Sequence, residues 1–275
     1  MAITNFIPTV WSETLYNALD KQYIAVANCN REFEGDIQEK GAVVKICGVG
    51  NVTVSDYNKN TDMSTPEDLN ETVRELVIDR AKYFNFQIDD IDRAQCSPRL
   101  MESAMKVAAD ALANEADAYI FSLFADAANE IKEDSATAAN VVERIIEARA
   151  KLYEANVSDA SEVVVEVSPA VAALILKGKA NLATDNTDAL EHGCLGSIGG
   201  CKIFVSNNIA SEKTGEKTYY KCLVRTRRAI AFAEQLSEID AYRPEKRFAD
   251  AVKGLHLYGA KVVYPAEMVL LNLGV

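Results

Sequence analysis

Histidine is almost absent from this chain, with only His192 and His256 in 275 residues. Two imidazoles leave little room for a zinc site, and no Ser/His/Asp or Cys/His arrangement has a recognisable context. The six cysteines (Cys29, Cys47, Cys96, Cys194, Cys201, Cys222) are scattered without a CxxC. They read as reduced thiols of a cytoplasmic protein, mostly buried as small hydrophobes. No apolar run approaches the ~20 residues of a membrane span. Basic residues are outnumbered, 29 against 41 acidic, and the net charge of −12 argues against wrapping nucleic acid on a basic face. No Lys or Arg precedes Lys21, so the opening lacks the basic start of a secretory signal. Gly193, Gly196, Gly199 and Gly200 do not fit GxxxxGK[ST], and no phosphate cradle is expected.

What the chain does have is one long helical stretch, Ser97 to about Asp134. Ser97 supplies an N-cap hydroxyl, and Pro98 occupies the first helical position, where its missing N–H costs nothing. Apolar residues recur at Met101, Met105, Ala108, Leu112, Ala116, Tyr119, Leu123, Ala127 and Ile131, a continuous stripe at helical spacing. A helix from Pro98 to Ile131 would be ~50 Å long. A compact globule of this length has a radius of gyration of ~19 Å, so such a helix would cross the whole subunit. Between Asp110 and Glu162 the sequence has 12 acidic and 4 basic residues, a net of −8. That excess reads as a solvated helix face.

Around this helix the pattern changes several times. Residues 1–30 form an arm, with Pro8 and Trp11 ahead of a short helical pattern at Leu15, Leu19 and Tyr23. Trp11 either plugs a core gap or anchors the arm on a neighbouring subunit. From Arg31 to Asp92 the period is two: Val52 and Val54 face one way, and Phe84, Phe86 and Ile88 alternate with Asn85, Gln87 and Asp89. These segments predict a two- or three-stranded ribbon with one apolar face. A hairpin of this kind is marginal alone in water, so it needs a surface; a long arm has too little of its own domain to cover it, a first hint of a partner chain. Beyond the helix, Thr137 caps ANVVERIIEARAKLYEAN, and EVVVEVS (162–168) reads as a buried central strand. Ser168-Pro169 then opens PAVAALILKGK, and strands CKIFVSN and TYYKCLVRT follow. Residues 136–275 predict an α/β domain with a mixed central sheet.

Few residues invite a chemical role. His192, Cys194 and Cys201 share a glycine-rich loop but lack a visible fourth ligand. Asp89, Asp90 and Asp92 read as a solvated strand end, because Asp89 and Asp90 point to opposite faces and no glycine-punctuated loop follows. His256 alternates with Leu255 and Leu257 and shares a face with Tyr258, a structural position. No catalytic residue, cofactor or metal site is expected.

Four strings then carry a resemblance over essentially the whole chain: FIPTVWSETL, REFEGDIQEKGAVVKICGVGNVTVSDYNKNT, VIDRAKYFNFQIDDID and AIAFAEQLSEIDAYRPEKRFADAVKGLHLYGAKVVYP. The sequence resembles the major capsid proteins of tailed bacteriophages, of the Hong Kong 97 fold type and nearer its P-twenty-two-like coat subgroup. The resemblance implies an α+β phage capsid fold in four parts. These are an N-terminal arm (1–30), an extended β-hairpin loop with peripheral-domain strands (31–92), a spine helix (93–135), and an axial α/β domain (136–275) whose last strands return to the peripheral domain. It implies a structural protein, not an enzyme, that assembles as hexamers and pentamers into an icosahedral shell around double-stranded DNA. By family habit its partners are other copies of itself, a separate scaffolding protein and a portal. Its location would be the virion capsid, built in the bacterial host cytoplasm. Inter-subunit contacts are expected at Trp11, Val52, Val54, Tyr57, Lys59, Phe84 and Phe86. Lys59 lies between Asn58 and Asn60, but no acid matches the crosslinking arrangement that some members use. If the acidic helix face lines the interior, Glu115, Asp126 and Glu130 would repel packaged DNA within ~8–10 Å. The competing readings are an encapsulin-like nanocompartment shell, and a soluble thiol or metal enzyme centred on His192, Cys194 and Cys201.

Overall fold

The computed structural model describes residues 23–33, 43–49, 71–89, 100–157, 162–178, 194–246 and 248–275, together with Asp56 and Lys59. Val43–Val49 (β1) and Glu71–Val77 (β2) form an antiparallel ribbon in which Val43 faces Val77 and Val49 faces Glu71. Their alternation sends Val44, Ile46 and Leu76 to one side. With Ile78, these side chains are buried against Ala231, Ala233, Leu257 and Val263 of the same chain. The apolar face expected to wait for a partner is therefore covered at the ribbon's root by its own subunit. The cover comes from strands ~150 residues downstream in a long-range pairing that local periodicity does not reveal.

Arg80–Asp89 (β3) does not extend the ribbon as a third strand. It pairs antiparallel with Ala249–Val262 (β11), which pairs in turn with Ile230–Tyr242 (β10), in a three-stranded sheet ordered β10-β11-β3. Ile78 and Asp79 lie between β2 and β3, so the chain leaves one sheet and enters the other within two residues.

The long helix is Leu100–Ser122 (α1), 23 residues and so ~35 Å long. It tightens into a 3-10 turn, Leu123–Asp126, and the chain then extends as Asn129–Glu133 (β4). The expectation of helix as far as Ile131 is thus corrected. Ile131 is buried in either reading, and a lone Ile between Glu130 and Lys132 suits a strand as well as a stripe. Met268–Gly274 (β12) decides the matter by pairing in parallel with β4. The core face of α1 is Met105, Ala109, Leu112, Ala113, Ala116, Ile120 and Phe121. It includes Asp117 and leaves Ala108 and Tyr119 at its margin.

The second sheet joins β4 and β12 to Val163–Val167 (β5), Cys194–Ile198 (β6), Cys201–Val205 (β7), Ser211–Thr214 (β8) and Lys217–Thr226 (β9). Its order is β4-β12-β9-β5-β7-β6, with β8 on β9. The β4–β12 and β5–β7 pairs are parallel and the others antiparallel. Asn140–Glu154 (α2) and Pro169–Gly178 (α3) cover one face through Val141, Ile145, Ala148, Leu152, Val171 and Ile175. Thr137 and Asn140 cap α2 reciprocally: the Thr137 N–H donates to Asn140 Oδ1 (2.6 Å) and the Asn140 N–H to Thr137 Oγ1 (3.4 Å). Ser168 Oγ accepts from the Val171 N–H (3.4 Å) with Pro169 opening α3. Because β5 is central and covered on both faces, all five of its residues are buried, which explains an apolar run broken only by Glu166. Residues 230–262 pair with β3 in the three-stranded sheet, so of the strands after β9 only β12 lies in the mixed sheet.

Gly259 marks where ribbon and sheet approach most closely. A Cβ there would sit 2.3 Å from the Val77 carbonyl oxygen and 3.1 Å from Ile78 Cα, both backbone atoms that cannot step aside. Gly259→Ala is expected to destabilise the subunit by about 2–3 kcal/mol. Urea unfolding measures the loss, and an unchanged midpoint would mean the ribbon root is not seated as described.

Candidate functional site

The candidate interface residues separate into three groups. Trp11, Val52, Val54 and Tyr57 lie outside the described residues. Lys59 is exposed, as is Asp56. Phe84 and Phe86 are half-buried, stack with ring centroids 5.9 Å apart, and pack on the cluster built around α1. Gly254 is required beneath them, since a Cβ there would lie 2.4 Å from the Phe84 ring. These two rings serve the subunit's own core. The opposite side of β3 is the open one, where Tyr83 is 78% exposed. Beside it a groove of about 300 Å³ is lined by Tyr83, Phe84, Asn85, Asp240, Lys253 and Leu255. Lys253 pairs with Asp240 (3.2 Å) and lies over the Tyr242 ring, whose hydroxyl donates to Asn85 Oδ1 (3.2 Å). At the far end of this sheet Phe248 is 84% exposed. Sequence reasoning fixed on the apolar alternation of Phe84, Phe86 and Ile88 and so passed over Tyr83, the aromatic out of phase with it.

A second feature was not foreseen. Residues 23–33 cross the junction between the two sheets as a strap held by buried charges. Within it Val26–Asn28 form a single 3-10 turn. Asp117, 2% exposed on α1, grips the N-terminal side of this turn, accepting the backbone N–H groups of Ile24 (3.0 Å), Ala25 (3.0 Å) and Val26 (3.1 Å). Arg225 of β9 grips the other side, donating to the carbonyl oxygens of Asn28 (2.7 Å) and Ala25 (3.1 Å). An anion at the N–H end of a helical turn and a cation at its carbonyl end are both favoured by the backbone dipoles. Arg225 also meets Glu166 of β5 in a bidentate pair, Nε to Oε2 at 3.0 Å and Nη2 to Oε1 at 2.8 Å, with both side chains fully buried. Further along, Glu234 of β10 accepts from Tyr23 Oη (2.5 Å), Arg31 (2.8 Å) and His256 Nε2 (2.8 Å). Asn30 finally pairs with β10, donating to the Ile230 carbonyl and accepting from Phe232 N–H, both at 2.9 Å.

Burial dominates the titration of this region. It pushes the Asp117 carboxyl up to about 6, partly offset by its three backbone N–H bonds. It pushes Glu166 up as well, against the pull of Arg225. Cys29 is raised to about 11 and Cys222 to about 12 by burial, so neither is a thiolate nucleophile at neutral pH. Cys29, Cys201 and Cys222 are buried free thiols. Of the loop cluster His192, Cys194 and Cys201, His192 and the Cys194 side chain lie outside the described residues. Among the described residues no group of three His, Cys, Asp or Glu could hold a metal ion, and no helix is long and apolar enough to cross a membrane. His256 is buried beside Tyr258, with ring centroids 5.0 Å apart. Asp89 is an exposed strand end, and Asp90 and Asp92 lie outside the described residues. The acidic excess between 110 and 162 is not a uniform helix face. Asp117 is buried, Glu115 pairs with Lys82 (2.7 Å), and Arg144 bridges Glu133 and Glu147. Glu115, Asp126 and Glu130 are exposed.

The comparisons with known proteins bear on the fold. No family model and no curated protein matches the chain. Among solved structures, it is similar to a chain of Mycobacterium phage Che8 at 28% identity, over 91% of each chain, with a TM-score of 0.70. It is similar to the capsid of Ralstonia phage GP4 at 12% identity, over 93% of this chain and 90% of the other, with a TM-score of 0.71. The chain has the phage major capsid fold, of the Hong Kong 97 type. It is also similar to a virus-like particle from Pyrococcus furiosus, at 12% identity, over 96% and 99% of the chains, with a TM-score of 0.56. These likenesses do not distinguish a P-twenty-two-like subgroup within the capsid fold. The mixed α+β architecture, with its ribbon, long helix and mixed sheet, is the one these likenesses share.

The buried pair gives a test of the capsid fold's junction. Removing Arg225 alone strands Glu166 without a partner, so Arg225→Met is expected to cost about 3–5 kcal/mol. The double variant Arg225→Met with Glu166→Leu removes both charges and is expected to recover most of that loss in urea unfolding. Equal destabilisation of single and double variants would show that the strap contacts, not the buried charge, dominate.

Proposed function

We propose that the protein is the major capsid subunit of a tailed phage, assembling as hexamers and pentamers into an icosahedral shell that encloses double-stranded DNA. The observation that carries this reading is the likeness to phage chains over nine-tenths of both partners. In this reading residues 1–30 are the arm, 31–92 the extended loop and peripheral strands, 93–135 the spine, and 136–275 the axial domain with its last strands beside β3. Closure by many modest heterologous contacts suits a surface with separated aromatic patches rather than one deep pocket. The contacts are assigned to Trp11, Val52, Val54, Tyr57 and Lys59 of the arm and loop, and to the strand bearing Phe84 and Phe86. On that strand Tyr83 is an exposed aromatic, and Tyr242 and Phe248 are exposed elsewhere on the same sheet. A scaffolding protein and a portal are the further partners, and the assembled shell forms in the bacterial host cytoplasm.

A second reading, a nanocompartment shell around an enzyme cargo, draws on the Pyrococcus furiosus particle. The phage reading is preferred because the fold agreement there is closer, 0.70 and 0.71 against 0.56.

Purified protein is expected to form pentamers, hexamers or shells by light scattering and negative-stain microscopy. A single monomeric species, persisting at high concentration and with a scaffold protein added, would sink both shell readings. Copurification of portal and packaging proteins supports the phage reading, and a single enzyme cargo the other. Tyr83→Ser and Phe248→Ser are each expected to weaken assembly by about 1–2 kcal/mol with Tm unchanged, as for aromatic residues lost from an interface.

A further inference from the structure

The charge cluster beneath the strap is short of one positive charge. Asp117 of α1 and Glu166 of β5 are both buried carboxylates, and Arg225 of β9 is the guanidinium that meets Glu166. Glu166 holds Arg225 in two parallel bonds, while Asp117 has no ion pair of its own among the described residues. The other titratable groups around Asp117 are Tyr23 and Cys29 of the strap. Tyr23 leads on to Glu234 of β10, to Arg31 and, through Glu234, to His256 of β11, a separate cluster with its own cation. With both carboxylates ionised, Asp117, Glu166 and Arg225 together carry one uncompensated negative charge in a place water does not reach.

We propose that docking of residues 23–33 is coupled to uptake of one proton by this cluster, so that the strap is held more tightly in mildly acidic than in neutral or basic solution. The geometry provides a place for the proton. Asp117 Oδ1 accepts from both Ala25 and Val26, whereas Oδ2 accepts only from Ile24, at the half-exposed rim of the strap. A hydrogen on Oδ2 therefore keeps two of the three backbone bonds and costs only the one whose N–H lies nearest water. The bidentate grip of Arg225 favours the ionised form of Glu166, so the shared proton goes to Asp117. The raised Asp117 value, about 6, agrees in direction. With the strap released, Asp117 returns to an ordinary carboxylate value of about 4. The docked state thus binds the proton more tightly. The added grip is complete below about pH 4 and is lost as pH rises through about 6.

Hydrogen exchange of the full-length protein, corrected for intrinsic rates, reads this directly at the amides of Ala25, Val26 and Asn30. Their protection is expected to fall about tenfold between about pH 5 and about pH 7.5. Val165 and Val224 in the central sheet should not follow. Asp117→Asn keeps the shape without the titration and should abolish the pH dependence. Glu166→Gln balances Arg225 against Asp117 and should move the dependence below the measured window, an independent check if the first variant fails to fold. Flat strap protection in the unsubstituted protein would overturn the proposal. So would a tenfold change surviving in Asp117→Asn, or an equal change in the central-sheet amides.

Discussion

A guanidinium with no route to water sets the terms for this fold. Arg225 sits at the C-terminal end of β9 with its side chain fully buried, and leaving such a charge unpaired would cost several kcal/mol. Its fork can be filled only if β5 brings Glu166 alongside and the strap brings the carbonyls of Ala25 and Asn28. Three segments far apart in sequence, around residues 25, 166 and 225, are thereby made to meet at one point. Surface pairs such as Lys82–Glu115 cannot compete with this, since exposed ion pairs contribute about 0–1 kcal/mol. A buried pair is not by that fact stabilising against an apolar substitute. What Arg225 supplies is specificity, because few other arrangements satisfy its donors.

Once the strap is placed, it commits the rest. Its N–H groups require Asp117, which lies one turn before Phe121 on the core face of α1. Its aromatic start and basic end require Glu234 on β10. The large sheet, the long helix and the three-stranded sheet are tied through one nine-residue segment from Tyr23 to Arg31. For a shell subunit this matters, because contacts on one sheet must hold a fixed angle to contacts on the other if copies are to close by symmetry.

The elements legible in the sequence were those whose signal is local. The near-continuous valines of β5, the Ser-Pro opening of α3 and the alternation in β3 all name their structures directly. The end of α1 was not legible, because Leu123, Ala127 and Ile131 satisfy helical spacing while β4 depends on β12. One bond across that region, Asn272 to Glu130, spans 142 residues. The covering of the ribbon's root was hidden for the same reason. Asp117 fell in an acidic stretch and read as solvated, although its spacing from Ala113 and Ile120 put it on the buried face. A better signal was available in two otherwise apolar strands, where Glu166 in VVVEV and Arg225 in LVRT stand as opposite charges with nowhere to go but each other. The aromatic surface at Tyr83 could not be ranked from sequence, since a tyrosine out of phase with an apolar alternation is ordinary in an edge strand.

These parts also define how load would pass through the subunit. The ribbon root rests on one face of the β10–β11 sheet, at Ala231, Ala233 and Leu257, and the strap and α1 hold the other face, at Phe232, Glu234 and Tyr258. A pull on the ribbon therefore reaches β10 first, passes through Glu234 and Asn30 to the strap, and enters the central sheet at Arg225. The strap is one of several links between the two sheets, beside helix α1 and the short chain connections from β9 to β10 and from β11 to β12. A covalently continuous hinge would bend under such a load. A segment held by charge-assisted bonds at both ends resists until those bonds give, and then gives as a unit. The strap thus adds to the junction a stiffness that the short chain connections alone would not supply.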